Sequence, residues 1–166
     1  DAYQSRGLGD VYKRQLFNNA KIVTVTGETI ENGYLGISEG LIDYVGKKAP
    51  EKQYTNKVDL NGKHIYPGFI ALNSTLGLVE VDAVRASDDE SEIGTFNPNI
   101  RSIIAYNAES KIIETMRLNG VLLAQVTPRG GVVSGSSSVV QLDAWNWEDA
   151  AIRTDEGICL LYTSPS

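Results

Sequence analysis

The residues of this chain that could do chemistry are few and scattered. Asn73, Ser74 and Thr75 follow an apolar run and offer amide and hydroxyl oxygens at alternate positions. On an extended strand, residues two apart share a face, so Asn73 and Thr75 are expected to point one way. Arg129 and Ser134 lie in the glycine- and serine-rich stretch that follows a second apolar run. Such a stretch can turn backbone N–H groups toward an anion. It lacks the Gly-Lys-Ser/Thr spacing of a phosphate loop. An ordinary connection is the plainer reading.

The remaining candidates are weaker. The sequence has one histidine, His64, and one cysteine, Cys159. That excludes an all-histidine metal site and a cysteine-rich zinc site built from this chain alone. His64 has no Cys or carboxylate neighbour and reads as a surface residue. Glu80 and Asp82 are two apart, as paired acid–base carboxylates can be, but nothing marks burial; they read as solvated or as a helix-start feature. Trp145 and Trp147 are spaced to stack on a ring, or to pack at a junction. The acidic run from Asp88 to Glu92 lacks calcium-loop spacing and reads as a solvated loop.

These residues need elements to hold them. Leu16 to Thr26 reads as a strand. Tyr34 to Ser38 and Leu41 to Val45 flank Glu39-Gly40 as a hairpin, and Val58 to Leu60 and Lys63 to Tyr66 flank Asn61-Gly62 as a second. Phe69 to Leu72 is a short run of buried type. Val84 to Asn99 reads as loop. Ser110 to Asn119 carries Ile112, Ile113 and Met116 at helical spacing, with Gly120 as its stop. Val121 to Val126 is a strand, Pro128 to Ser138 a flexible loop, and Val139 to Leu142 a further strand. Trp147 to Ile152 opens a helix. Strand, helix, strand predicts βα units and a parallel sheet.

The chain has 166 residues with 42% hydrophobic residues, enough for a buried core. Its net charge of −6 lacks the positive field that a phosphate backbone requires, so nucleic acid is not an expected partner. No apolar run reaches the roughly 18 residues of a membrane-spanning helix.

Both ends read as something other than gene. Ser5 to Gln15 matches the translation of a transposase-type sequencing adapter, and Cys159 to Ser166 matches its reverse complement. Residues 1–15 and 159–166 are therefore expected to be non-native, and Cys159 says nothing about redox compartment. With the true start absent on this reading, localisation is not legible.

The stretch KHIYPGFIALNSTLGL, Lys63 to Leu78, resembles the first barrel strand of the amidohydrolase superfamily, especially its imidazolonepropionase-like members. The Asp59-x-x-Gly62-Lys63 turn before it, Asn119-Gly120 after the helix, and VTPRGGVVSGSSSVVQLD from Val126 to Asp143 agree with the resemblance. It implies an α/β fold: a small strand-rich composite β domain at 16–66, then the opening βα units of an incomplete (β/α)8 barrel at 67–158. A full barrel takes roughly 250 residues, so the rest of the barrel is expected to be missing here.

The resemblance also implies a function. Members hydrolyse non-peptide carbon–nitrogen bonds of small molecules, usually with water activated by a divalent metal such as zinc. The family places two metal-binding histidines where this chain has Asn73 and Thr75, and an aspartate where it has Ala71. Amide and hydroxyl oxygens are weak neutral ligands for zinc, so the residues present do not support a metal. No catalytic residue is assigned. Asn73, Ser74, Thr75, Arg129 and Ser134 are expected to line the pocket rim, with Arg129 a contact for an acidic substrate. Two readings stay open: part of a hydrolase, inactive by itself, or part of a non-catalytic homologue that serves as a binding or partner-contact module.

Overall fold

The computed structural model describes residues 14–81 and 83–161. Asp82, most of Ser5 to Gln15, and the end of the Cys159 to Ser166 segment lie outside the described residues. The chain divides into two compact units between Pro67 and Gly68.

The first unit is one sheet. Its strands are β1 (Gln15–Ile22), β2 (Ile30–Ser38), β3 (Leu41–Gly46), β4 (Asn56–Asp59) and β5 (His64–Ile65). The order is β3-β2-β1-β4, with β5 also paired to β1. β2 and β3 form the expected antiparallel hairpin, closed by Glu39-Gly40 with both residues at positive φ, the geometry of a primed turn. Ala20, Ile22 and Leu35 are buried, with Phe17, Ile30, Leu60 and Ile65 packed on them.

The second expected hairpin does not form. β4 and β5 do not pair with each other; each runs parallel to β1, with Asn56 opposite Gln15 and His64 opposite Lys21. Asn61-Gly62 still makes a tight turn, but the turn is an excursion between two stretches of one strand path. β1 supplies the reason. Asn18 and Asn19 carbonyls accept from Leu60 N (3.0 Å) and Gly62 N (2.7 Å), so the excursion is hydrogen-bonded to β1 throughout.

The second unit holds β6 (Phe69–Ser74), α1 (Ser102–Ala105), α2 (Lys111–Leu118), β7 (Val121–Val126), β8 (Val133–Gln141), α3 (Trp147–Ala150) and β9 (Ala151–Leu160). The sheet order is β6-β7-β8-β9. β6 and β7 are parallel, joined through α2, which is the expected βα unit. β8 and β9 then return antiparallel, so the parallel expectation holds for one pair.

α2 starts at Ser110, whose hydroxyl accepts from Ile112 N at 3.3 Å. That satisfies one of the free N–H groups of a first turn. Of the three helically spaced apolar residues only Ile113 is buried; it joins Ile103, Val126 and Val140 in the core. Burying such a side chain contributes about 1.5–3 kcal/mol. Glu80 belongs to this helix start: its carboxylate accepts from Asn107 Nδ2 (3.1 Å) and Ser110 Oγ (3.0 Å).

Two further expectations are corrected. Phe69, Ile70 and Leu72 are exposed at 66%, 55% and 73%, because β6 is an edge strand and no described element covers these side chains. Val133 to Ser138 is not loop but the first half of β8, and Ser134 to Ser138 are buried. Its hydroxyls are satisfied locally: Ser134 Oγ donates to Gly130 O at 2.6 Å, Ser136 Oγ to Ile100 O at 3.2 Å, and Ser138 Oγ accepts from Asp155 N at 3.1 Å.

Candidate functional site

The end of β6 and the loop before β8 meet. Arg129 donates from Nη1 to the Asn73 side-chain Oδ1 at 2.6 Å and from Nη2 to the Asn73 main-chain O at 2.7 Å. The planar fork of a guanidinium suits such a paired contact. The Asn73 N–H donates to Gln125 Oε1 at 3.2 Å on β7. Gln125 Nε2 in turn donates to Glu156 Oε1 at 2.6 Å on β9. A chain of polar groups thus crosses the sheet from Arg129 through Asn73 and Gln125 to Glu156.

The loop holds Arg129 from behind. Its own N–H donates to Glu90 O at 2.6 Å, and it bridges Ser91. The acidic run is therefore a backbone partner of this loop rather than only a solvated segment. Asp89, Glu90 and Glu92 also line a cleft of about 460 Å3 with Arg85 and Arg101. None of the sequence-predicted site residues lines that cleft.

The alternation argument fails at Asn73. Its φ is 51°, and the β6–β7 register shifts between Ala71 and Ser74. Asn73 and Thr75 therefore do not follow the period of a regular strand. Ser74 turns to local work: its hydroxyl accepts from Leu76 N at 3.1 Å and its carbonyl from Thr127 N at 2.8 Å. The Thr75 carbonyl accepts from Leu78 N at 2.9 Å. Ser134 is 1% exposed and bonded to Gly130, so it braces the loop. The structure brings Asn73 and Arg129 together; it gives Ser74 and Ser134 packing roles.

The other candidates fall apart from this place. His64 is exposed, with Nδ1 2.8 Å from Tyr66 Oη. Trp145 is 90% exposed, and Trp147 packs against the core of the second unit. Sequence reasoning missed Gln125 and Glu156. Gln125 did carry a signal, as the one amide in an otherwise apolar Val121–Val126 strand. It also missed a second polar knot: Arg101 Nε donates to Asp155 Oδ1 and Oδ2 at 3.0 and 2.8 Å, and the Ser136 hydroxyl shares its one proton between Asp155 Oδ1 (2.7 Å) and Ile100 O (3.2 Å). The Arg101 bonds, then the Ser136 bond, hold the Asp155 carboxyl below the usual carboxylate range.

The donor set does not suit a divalent metal. Both Asn73 oxygens already accept from a cation, and Glu156 accepts from Gln125. Among the described residues no group of three or more His, Cys, Asp or Glu is placed to hold a metal ion. Zinc favours imidazole, thiolate and carboxylate.

Comparison with solved structures identifies the scaffold. An amidohydrolase from Thermotoga maritima MSB8 superposes with a TM-score of 0.82 over 90% of this chain, at 24% sequence identity. The chain has an amidohydrolase fold. It spans 39% of that protein's length. A second amidohydrolase covers 40% of this chain and 16% of its own length (TM-score 0.37, 25% identity). A prolidase complexed with N-methylphosphonate-L-proline covers 42% of this chain and 17% of its own (TM-score 0.35, 18% identity). These two likenesses are too local to carry an argument. No protein-family model matches the sequence, and no curated protein matches it. No helix among the described residues is long and apolar enough to cross a membrane.

Proposed function

We propose that this chain is part of an amidohydrolase-type protein whose whole form acts on non-peptide carbon–nitrogen bonds of small molecules, and that these 166 residues do not catalyse that hydrolysis alone. The fold match over 90% of the chain carries the reading. The chain itself supplies a composite sheet at 16–66, the start of a barrel at 67–158 and one wall of a pocket rim. Asn73 and Thr75 stand on that wall at a strand end, with Arg129 in the facing loop, while Ser74 and the β8 residue Ser134 brace the turns behind them. Hydrolysis there needs an activated water and a proton acceptor, and Asn73, Thr75 and Arg129 are neither a base nor a metal cage.

One observation favours the second reading, a non-catalytic homologue that binds or contacts a partner. The Asn73 amide is closed by Arg129 rather than left open toward a substrate. The test is an assay of the purified chain against simple N-acyl amino acids and cyclic amides, with and without added zinc. No metal-dependent turnover is expected. Zinc-dependent hydrolysis abolished by Asn73→Gly would sink the claim that the chain is inactive alone.

A further inference from the structure

We infer that Arg129 is the resident cation at the end of β6, doing by hydrogen bonding what a divalent ion does by coordination, and that it excludes such an ion from this position. The inference rests on the amidohydrolase reading only for the expectation that a metal belongs here. The geometry stands by itself. A metal that cross-links a strand end to a neighbouring loop needs oxygens or nitrogens aimed at one point. Here the two Asn73 oxygens are each taken by one terminal nitrogen of the same guanidinium, at 2.6 and 2.7 Å, so neither is free for an ion.

Three features fix that arrangement. Asn73 has φ of 51°, a left-handed conformation that asparagine tolerates better than most residues. Its N–H is fastened to Gln125, which holds the main chain in that conformation and with it the carbonyl oxygen that Arg129 meets. Arg129 is fastened at its own N–H to Glu90 O (2.6 Å), and the next residue's carbonyl, Gly130 O, accepts from the buried Ser134 hydroxyl (2.6 Å). A second cation a few ångströms from the guanidinium meets like-charge repulsion that partial exposure weakens but does not remove. A lysine would not reproduce the contact, because its ammonium has no planar pair of donors.

The experiment is zinc binding to the full chain by equilibrium dialysis, with Asn73→Gly beside it. Glycine keeps the left-handed backbone and removes the whole carboxamide side chain, Oδ1 with it, while leaving the main-chain carbonyl, so that variant is expected to fold. Wild type should take up no zinc that depends on Asn73, and any weak uptake at His64 or Cys159 should be identical in the variant. One equivalent bound with a dissociation constant below about 10 μM and lost in Asn73→Gly would overturn the inference. A second arm installs a single imidazole with Asn73→His, at the position whose side chain Arg129 meets. Zinc affinity should rise at least about tenfold when Arg129→Gln is added, as removal of a nearby like charge requires. Equal affinity with and without Arg129 would overturn the exclusion. Neither arm reads hydrolysis, so the inference fails or stands separately from the proposed activity.

Discussion

Replacing Gly135 by alanine tests how β8 is built. A Cβ at Gly135 would lie 2.5 Å from Ile100 O, 2.9 Å from Ile100 Cβ and 3.1 Å from Ile100 C. Close carbon–oxygen contacts in proteins sit at about 3.3–3.6 Å, so an overlap approaching about 1 Å must be relieved. Backbone atoms cannot rotate away as a side-chain tip can. β8 must move off Ile100, and that stretches the Ser136 N–H bond to Ile100 O, now 2.7 Å. Overpacking costs about 1–3 kcal/mol, the strained positive φ of 131° about 1–3 kcal/mol, and the lost bond about 1 kcal/mol. The terms overlap, and about 3–5 kcal/mol is expected, the range of the most damaging single substitutions. Gly120→Ala is the control in the same unit: its φ is 86°, yet its nearest neighbour, Phe69, is 3.7 Å from the added carbon. It should cost only the backbone strain, about 1–2 kcal/mol. Urea unfolding followed by Trp147 fluorescence reads both, since Trp147 packs on that core. Equal costs for the two variants would refute the close approach of β8 to Ile100.

Three further outcomes follow from named contacts. The Asp155 carboxyl is lowered below its ordinary 3.8 by the Arg101 and Ser136 bonds; its stabilisation is therefore present above about pH 4 and lost as pH falls through the lowered folded value. Asp155→Asn should flatten the acid limb of stability against pH, and an unchanged limb would contradict the pairing. Leu72→Lys places a charge on the exposed apolar edge strand β6 and should reduce self-association in light scattering; unchanged association would mean another surface drives it. The Tyr106 hydroxyl is buried without a hydrogen-bond partner among the described residues, and burial pushes its pKa to about 12. Tyr106→Phe should be neutral or raise stability by up to about 1 kcal/mol in the same urea experiment, and a loss of that size would show that the hydroxyl is partnered.

Local signals in the sequence were good where the structure is local. Glu39-Gly40 closes a hairpin because turn and partner strands are adjacent in the chain. Ser110 caps α2 because a cap acts within one turn. Asn61-Gly62 shows the limit: the turn chemistry was legible, but both flanking strands chose β1. The serines of β8 read as loop because composition does not reveal that each hydroxyl finds a backbone partner, and that Gly135 lets Ile100 approach. At the candidate site, residue types and the strand end were legible. The Asn73 kink, and the Arg129 and Glu156 partners far away in sequence, were not.

The account turns on what holds the end of β6, and nitrogen NMR of the Arg129 guanidinium reads that directly. Hindered rotation and slow exchange at both Nη groups are expected in wild type, because each donates to an Asn73 oxygen. Asn73→Gly should free one and leave the other on the main-chain carbonyl, and zinc should change neither. A freely rotating Arg129 guanidinium, or one released when zinc is added, would contradict the account.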